Sequence, residues 1–266
     1  MAESNLLRQL MLIFVLCFCT SVSADVLDEI LERGTIRVGV AEFVPWTHKN
    51  KAGELVGFEI DVARKIAGDM SVEPEFKVYI WEDIIPALLK GEIDIIAGGM
   101  SITPARALKV DFSRPLAESG VGLATNTRMT RNIESLRELD APGIVITTVK
   151  DTIAVDLAKT MFPSADLKVF STRGEAESEI LEGRAHIYLA SMAEAQFLVL
   201  QHPDVVDLPL AEPLIGSSEA LAIKKGEQQM LNFLNAWVTA RKSDKWLLTT
   251  HDYWFTTLDW LQDVAP

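Results

Sequence analysis

The amino-acid sequence predicts an α/β protein of two lobes that are built from parallel βαβ units. Short segments rich in β-branched residues alternate along the chain with segments whose apolar residues recur at helical spacing. No low-complexity linker divides the 266 residues, which favours crossing strands over a single tether between the lobes. We therefore expect a hinge that consists of two crossing strands.

The first half of the chain begins with the segment TIRVGV at 35–40, whose β-branched residues are typical of a strand. Phe58, Val62 and Ile66 recur every four residues and predict the buried face of a helix over 58–69. The other elements predicted in this half are a strand at 76–80, a helix at 82–90 that ends at Gly91, and a short strand at 93–97.

The second half repeats this alternation and ends in a helical region. The predicted strands lie at 144–148, 167–170 and 187–189, and the predicted helices at 152–162 and 175–181. Two apolar segments that contain glycine, 117–124 and 215–223, are the candidate crossing strands. The stretch 227–260 is mostly helical in pattern and carries four of the six tryptophans.

The N-terminus has the pattern of a secretory signal peptide. Arg8 precedes ten uninterrupted apolar residues at 10–19, and Val22-Ser23-Ala24 is a small-residue cleavage site. The apolar run is too short to span a bilayer, which needs about 20 apolar residues. We expect cleavage after Ala24, which also removes both cysteines, and no membrane span in the mature chain.

Charge and motif content exclude several classes of function. The chain has 25 basic and 38 acidic residues, a net charge of −13, which argues against binding nucleic acid or an anionic membrane surface. The four histidines are dispersed without metal-ligand spacing, and the sequence has no phosphate-binding loop or nucleophile elbow. We expect no metal, no cofactor and no nucleic-acid partner.

Six motifs follow one another at specific spacings. They are GTIRVGV at 34–40, GELVGFEIDVARKIA at 53–67, WEDIIPALLKGEIDIIAGGMSIT at 81–103, Arg106, VDFSRP at 110–115 and GRAHIYLA at 183–190. In this order they resemble the periplasmic solute-binding proteins of polar amino acid ABC importers, family 3, over essentially the whole mature chain. The resemblance implies a type II periplasmic binding protein fold, in which lobe 2 is inserted into lobe 1. The expected division is a signal peptide at 1–24, lobe 1 at 25–117, lobe 2 at 118–216, and the rest of lobe 1 with the C-terminal helices at 217–266.

The predicted ligand site in lobe 1 is centred on Arg106. Pro104 suits the first turn of a helix and Thr103 suits its N-cap. The planar guanidinium of Arg106 can bind a carboxylate through two hydrogen bonds. In the resembled family, residues at the positions of Ser101 and Arg106 bind the ligand's carboxylate, and Gly99 matches a position that faces the ligand.

Aromatic residues are expected to hold the body of the ligand. Phe43 and Trp81 match positions that sandwich its apolar part in the resembled family, and an aromatic face also attracts an ammonium group. Trp46 follows Pro45 and is expected to fill the core of lobe 1.

In lobe 2 the sequence departs from the family pattern at three positions, of which one is His186, in place of the aspartate that is usual inside the strand. Thr152 matches a threonine that meets the ligand carboxylate, whereas Asp151 replaces the usual glycine and is expected to cap the following helix. Ser191 stands where the family has an aspartate for the ligand's α-ammonium. Because a buried ammonium without a partner is costly, either another acid replaces that aspartate or the ligand has no α-amino group. The acids considered are Asp151, Glu42, Glu118 and Glu194.

The resemblance implies the periplasmic ligand-binding subunit of an ABC importer, which captures an amino acid or a related small carboxylate by hinge closure. We expect a monomer that is not an enzyme and that docks on separate permease subunits in the membrane. One alternative is a periplasmic cyclohexadienyl dehydratase acting on prephenate or arogenate, which the segments 27–38, 136–145 and 193–204 resemble. Glu194 lies near the acidic catalytic residue of that branch, although a helix-surface position is its ordinary interpretation. Another alternative is a secreted ligand-sensing module.

Overall fold

The computed structural model describes residues 25–257 and 259–263, so the predicted signal peptide lies outside the described residues. The chain begins with the strands and helices of the first lobe. These are α1 (Val26–Arg33), β1 (Thr35–Val40), β2 (His48–Lys49), β3 (Leu55–Val56), α2 (Phe58–Met70), β4 (Glu73–Val78), α3 (Trp81–Leu89), β5 (Ile95–Ile96), α4 (Pro104–Ala107) and β6 (Val110–Phe112).

The second lobe follows without a linker, and the chain then returns to the first. The elements of the second lobe are β7 (Ala117–Asn126), β8 (Val145–Val149), α5 (Ile153–Met161), β9 (Asp166–Phe170), α6 (Arg173–Leu181), β10 (Ile187–Ser191), α7 (Met192–Gln201), β11 (Val206–Asp207) and β12 (Ile215–Glu219). The returning part contains β13 (Ala222–Lys224), α8 (Gln228–Ser243), α9 (Trp246–Asp252), a π-helical turn (Tyr253–Thr257) and a 3₁₀ turn (Asp259–Asp263).

Each lobe is built on its own sheet. The first sheet has the strand order β4-β1-β5-β13-β6, in which β1 runs parallel to β4 and β5. The second has the order β11-β7-β10-β8-β9, in which β8 runs parallel to β9 and β10. Because β13 follows the second lobe in sequence but lies inside the first sheet, the second lobe is inserted into the first. The α/β fold with an inserted lobe is therefore confirmed.

Two antiparallel strands, the ten-residue β7 and the five-residue β12, form the connection between the lobes. In β7 and β12, Val121 pairs with Ile215 and Ala117 pairs with Glu219. The predicted crossing segments 117–124 and 215–223 contain these strands, although the second segment also includes β13. The predicted lobe boundaries at 117/118 and 216/217 fall in this pair and stay predictions.

The core follows the predicted periodicity. Ile36, Val38 and Val40 of β1 are fully buried, as are Phe58 and Val62 of α2. Burying one such side chain contributes about 1.5–3 kcal/mol relative to leaving it exposed. The strand predicted at 76–80 instead spans Glu73–Val78. It ends before Ile80 because Ile80 is the N-cap residue of α3. None of the helices in the described ranges is both long and apolar enough to cross a bilayer.

Candidate functional site

A cavity of about 570 Å³, which includes space open to solvent, lies between the two lobes. Residues of both lobes and of the β7–β12 connection line it. The seven residues predicted from the sequence as ligand contacts all lie in its wall: Phe43, Trp81, Gly99, Ser101, Arg106, Thr152 and Ser191. The structure thus brings the predicted residues together, and their contact with a ligand stays a prediction.

The start of α4 positions Arg106. Pro104 occupies the first helical turn, and the Thr103 side chain accepts a hydrogen bond of 3.2 Å from the Arg106 amide. The guanidinium donates to the carbonyl oxygens of Ser101, at 2.9 Å, and Asp151, at 2.8 Å. Burial lowers the pKa of Arg106 to about 10, against the opposing effect of Asp151, so the group stays charged at neutral pH. An arginine has five N–H donors, and those not used here remain for a ligand carboxylate.

The two predicted aromatic residues form one corner of the cavity. Phe43 and Trp81 meet edge to face with ring centroids 5.3 Å apart. The guanidinium of Arg106 lies over the Trp81 ring, 5.5 Å from its centroid. An apolar wall therefore stands beside the cation, which suits a ligand with an acid group and an apolar body.

Trp46 was expected from the sequence to fill the core of lobe 1, and in the structure it both packs in that core and lines the cavity. Its Nε1 donates a hydrogen bond of 2.6 Å to Oε2 of Glu219.

Gly99 holds this part of the wall in place. Its φ of 64° lies in the left-handed region, and a Cβ atom there would approach the Trp46 Nε1 to 2.6 Å. Its amide donates to Oε1 of Glu59 at 2.9 Å. Glycine is therefore required here both for its backbone conformation and for the close approach of the indole.

The turn before α5 corrects the role expected for Asp151. The N-cap of α5 is Thr152, whose hydroxyl donates to the Val149 carbonyl at 2.7 Å. Asp151 instead has a left-handed φ of 59°, which explains why the resembled family has glycine there. Its carbonyl oxygen accepts hydrogen bonds from Arg106 and from Trp81 Nε1, at 3.1 Å, across the cleft.

A second set of contacts across the cleft lies nearer the surface. Glu82 of α3 forms a salt bridge with Lys150 of the second lobe. The Ser171 hydroxyl donates to Glu82 at 3.2 Å. The lobes therefore touch through hydrogen bonds and an ion pair, and the structure represents a closed arrangement.

Ser191 is the N-cap of α7, and it forms a capping box with Glu194. The serine hydroxyl donates to the Glu194 carboxylate at 2.7 Å, and the Glu194 amide bonds back to that hydroxyl at 3.2 Å. The expected surface position of Glu194 is wrong, because its side chain is only 6% exposed and lines the cavity. The helix begins at the cavity wall, so its first turn faces inward. Burial raises the pKa of Glu194, while nearby Arg173 lowers it.

Sequence reasoning missed two buried acids, Glu219 and Glu59. Glu219 ends β12 and lines the cavity with 3% of its surface exposed, and burial raises its pKa to about 8. Glu59 is fully buried behind Gly99, and burial raises its pKa to about 7. The available signal was an acid within an apolar run, as in SSEALAI at 217–223.

No cluster of three or more metal-ligating side chains occurs in the part of the chain that the structure describes. The cavity combines one arginine, two acids and an aromatic corner between two hinged lobes. This arrangement defines a class of protein, the two-lobed proteins that enclose a small solute between their lobes.

Comparisons with known proteins agree with that class. The model of the family described as bacterial extracellular solute-binding proteins, family 3, matches residues 36–257. A probable amino-acid ABC transporter periplasmic-binding protein of Sinorhizobium fredii is 30% identical over 72% of this chain and 65% of its own length.

Two solved structures are similar over most of the chain. An ancestral amino acid-binding protein, a precursor of cyclohexadienyl dehydratase, is 33% identical with a TM-score of 0.79, over 88% of this chain and 100% of that one. An ancestral arginine-binding protein bound to arginine is 32% identical with a TM-score of 0.78, over 84% and 99%. The chain belongs to family 3 of the bacterial extracellular solute-binding proteins.

Proposed function

We propose that the protein is the periplasmic ligand-binding subunit of an amino-acid ABC importer. The observation that carries this proposal is the position of Arg106, whose guanidinium lines the interlobe cavity beside the Phe43–Trp81 corner. A half-buried arginine with free donors and an apolar wall beside it matches the carboxylate and the body of an amino acid. The S. fredii relative and the arginine-bound structure support the same class of ligand.

The acids of the site favour a ligand that also carries positive charge. Glu194 and Glu219 line the cavity and Glu59 lies just behind it, whereas Arg106 is the one Lys or Arg among the described lining residues. If the ligand were a carboxylic acid without an amine, Arg106 would be the one cation among the described residues of the cavity wall, and it would have to balance the ligand's carboxylate as well as these acids. An amino acid supplies both a carboxylate for Arg106 and at least one ammonium. We therefore place α-amino acids, and cationic ones first, ahead of keto or hydroxy acids.

Capture proceeds by closure of the lobes over the ligand. The ligand first meets Arg106 and Ser101 in lobe 1, and lobe 2 then brings Thr152 and the start of α7 against it. The β7–β12 pair supplies the hinge, and the contacts of Asp151 and Lys150 across the cleft form as it closes. The closed form then docks on permease subunits that are separate chains.

An isothermal titration of the mature protein tests this function. The panel holds L-arginine, L-lysine, neutral amino acids, their keto and hydroxy counterparts, and agmatine, which is arginine without its carboxylate. We expect at least one amino acid to bind, agmatine to fail, and Arg106→Ala to weaken binding at least tenfold, about 1.4 kcal/mol. Arg64→Ala, an exposed arginine of lobe 1, is the control that should bind normally. Unchanged affinity in Arg106→Ala would remove Arg106 from the site.

One observation favours a second candidate function, a cyclohexadienyl dehydratase-like enzyme. Glu194 is a buried carboxyl in the cavity wall whose pKa burial raises, as a general acid for a leaving hydroxyl group requires. A similar solved protein is described as a precursor of such an enzyme. The Glu194 carboxylate is already hydrogen-bonded to Ser191 in the capping box of α7. We therefore propose that the protein binds its ligand and does not convert it. Consumption of prephenate that Glu194→Gln abolishes would put the enzyme first.

Export and oligomeric state complete the proposal. The signal peptide directs the protein to the periplasm and is removed by cleavage after Ala24, and the mature protein works there as a monomer. Intact-mass spectrometry of the exported protein and light scattering of the purified protein check these two points.

A further inference from the structure

Glu219 lies where the cavity wall meets the connection between the lobes. It is the last residue of β12, and its backbone forms an antiparallel bridge with Ser101, which precedes Arg106 in lobe 1. On its other side it pairs with Ala117 of β7. Glu219 is therefore paired through its backbone with the first lobe on one side and with the connecting strand β7 on the other, and its side chain lines the cavity between the lobes.

The carboxyl of Glu219 has few partners for a group so deeply buried. Trp46 Nε1 donates a hydrogen bond of 2.6 Å to Oε2. Burial raises the pKa of the carboxyl, and the Ser119 hydroxyl and the Trp46 indole only partly oppose that effect. Burying a carboxylate without a cation or several donors is costly. No lysine or arginine forms a salt bridge with it within the described residues.

The charged groups that face Glu219 come from three elements. Glu59 on α2 and Glu194 on α7 are both acids, and both raise the pKa of Glu219 beyond the larger effect of burial. Arg106, on α4, lines the same cavity, but its guanidinium is bonded to the Ser101 and Asp151 carbonyls. Glu59 also has a buried oxygen, Oε2, without a hydrogen-bond partner. The neighbourhood therefore holds more carboxyl groups than basic groups.

Glu194 is less suited than Glu219 to receive a ligand cation. Its carboxylate accepts from the Ser191 hydroxyl and amide and from the Tyr188 hydroxyl, at 3.3 Å. Burial raises the pKa of Glu194, and nearby Arg173, whose salt bridge is with Glu177, partly opposes that effect. Glu118, an acid considered from the sequence, is exposed and accepts from the Ser218 hydroxyl at 2.8 Å.

We propose that Glu219 selects ligands that carry a cationic group, and that it exchanges a proton for that cation when the ligand binds. In the empty cleft Glu219 is a neutral carboxylic acid that accepts the Trp46 hydrogen bond. When the ligand enters, the Glu219 O–H bond breaks, the proton leaves to solvent, and the carboxylate pairs with the ligand's ammonium or guanidinium. This inference rests on the proposed function, because it assumes that an amino acid occupies the cavity.

Such an exchange has a direct thermodynamic signature. Burial raises the pKa of Glu219 to about 8, so the group is mostly protonated at pH 7 and binding of a cation should release a proton. Release should decrease as the pH is raised from 7 towards 8.5, because the empty cleft has then already lost part of the proton. A residue that served only the packing of β12 would show neither effect.

The experiment is isothermal titration with L-arginine at pH 7 in buffers of different ionisation enthalpy, which counts the protons released. We expect more than about half a proton released per ligand for the native protein, and little for Glu219→Gln, which keeps an acceptor for Trp46. Affinity for L-arginine should fall at least tenfold in Glu219→Gln. Glu219→Asp should keep the proton release, and Glu118→Gln should match the native protein in both readouts.

Matched ligands identify which cation Glu219 binds. L-citrulline lacks the side-chain charge of arginine, and 5-guanidinopentanoate lacks its α-amino group. The ligand that has lost the relevant cation should bind equally to native protein and Glu219→Gln, and should release no proton. If another amino acid binds more tightly in the screen, that amino acid and its des-amino acid take the place of arginine.

The outcomes separate the two proposals. If amino acids bind through Arg106 but Glu219→Gln retains native affinity and proton release, the role of Glu219 is overturned and the proposed function stands. If the native protein binds no amino acid at all, the proposed function fails and the role of Glu219 fails with it.

Discussion

At the scale of single residues, Gly99 shows how one backbone conformation shapes the site. Its left-handed φ lets the amide donate to Glu59, and the Trp46 indole occupies the space that a Cβ atom at this position would fill. The indole in turn bonds to Glu219. A change at this glycine therefore reaches both buried acids.

We predict that Gly99→Ala weakens ligand binding at least tenfold. It should also destabilise the protein by more than the cost of placing an alanine in the left-handed backbone conformation. The backbone conformation costs about 1–2 kcal/mol, and displacement of Trp46 adds to that. Gly34→Ala is the matched control, since Gly34 has a φ of 71° and open space around its Cβ position. Titration and thermal unfolding of both variants measure the difference. Equal effects of the two substitutions would contradict the importance of the Trp46 contact.

Four of the seven predicted residues, Trp81, Gly99, Ser101 and Arg106, were accessible from sequence because they belong to the short motifs of specific spacing. Arg106 follows Thr103 and Pro104 in a turn that the sequence predicts and the structure shows. Glu219 was not accessible in this way. Its environment is made by Trp46, 173 residues away, and by Glu59 and Glu194 on other elements. Burial of an acid by distant residues leaves only a weak local signal.

At the scale of elements, α7 links the second lobe's packing to the cavity. Its capping box places Ser191 and Glu194 in the wall, and Phe197 one turn further along stacks on Trp260 of the C-terminal segment. The guanidinium of Arg173 lies over the Phe197 ring, 5.3 Å from its centroid. The start of this helix thus affects stability and the shape of the site together.

We predict that Ser191→Ala lowers the free energy of unfolding by about 1 kcal/mol through the loss of the cap, and also changes ligand affinity. Thr172→Ala removes the equivalent capping box of α6, with Glu175, which does not line the cavity. It should lose similar stability without a change in affinity. Chemical denaturation and titration of the two variants provide the comparison, and an unchanged affinity in Ser191→Ala would place the start of α7 away from the ligand.

The order of elements was largely predictable, but their pairing was not. Alternating periodicity indicated the parallel strands β8, β9 and β10, which connect through helices. The strand β7 instead runs antiparallel to β10, β11 and β12. A strand that crosses between lobes has the same apolar pattern as a parallel one, so its direction depends on the rest of the sheet.

At the scale of the whole molecule, buried acids connect stability to pH. The pKa values of Glu59 and Glu219 are raised by burial to about 7 and about 8. Between the ordinary value of 4.5 and these values, the folded protein holds protons that the unfolded chain has released. Raising the pH across this window therefore favours unfolding. His48 acts oppositely below pH 6.5, because burial lowers its pKa to about 4.

We predict that the empty protein loses stability between pH 6.5 and 8.5, where the two glutamates act without the histidine. The loss is roughly 3 kcal/mol, or several degrees in Tm for a chain of this size. Thermal unfolding across this pH range measures it, and Glu219→Gln should show a shallower decline. A Tm that rises with pH over this interval would contradict the burial of these acids as protonated groups.

The double hydrogen bond to the Asp151 carbonyl has a consequence for how such a protein changes over evolutionary time. The acceptor that meets Trp81 and Arg106 across the cleft is a main-chain oxygen, which every amino acid possesses. Substitutions elsewhere in the wall can alter which solute fits while the lobes still meet through the same carbonyl. Substitutions at wall residues other than Trp81 and Arg106 can therefore change ligand preference while this contact between the lobes is kept.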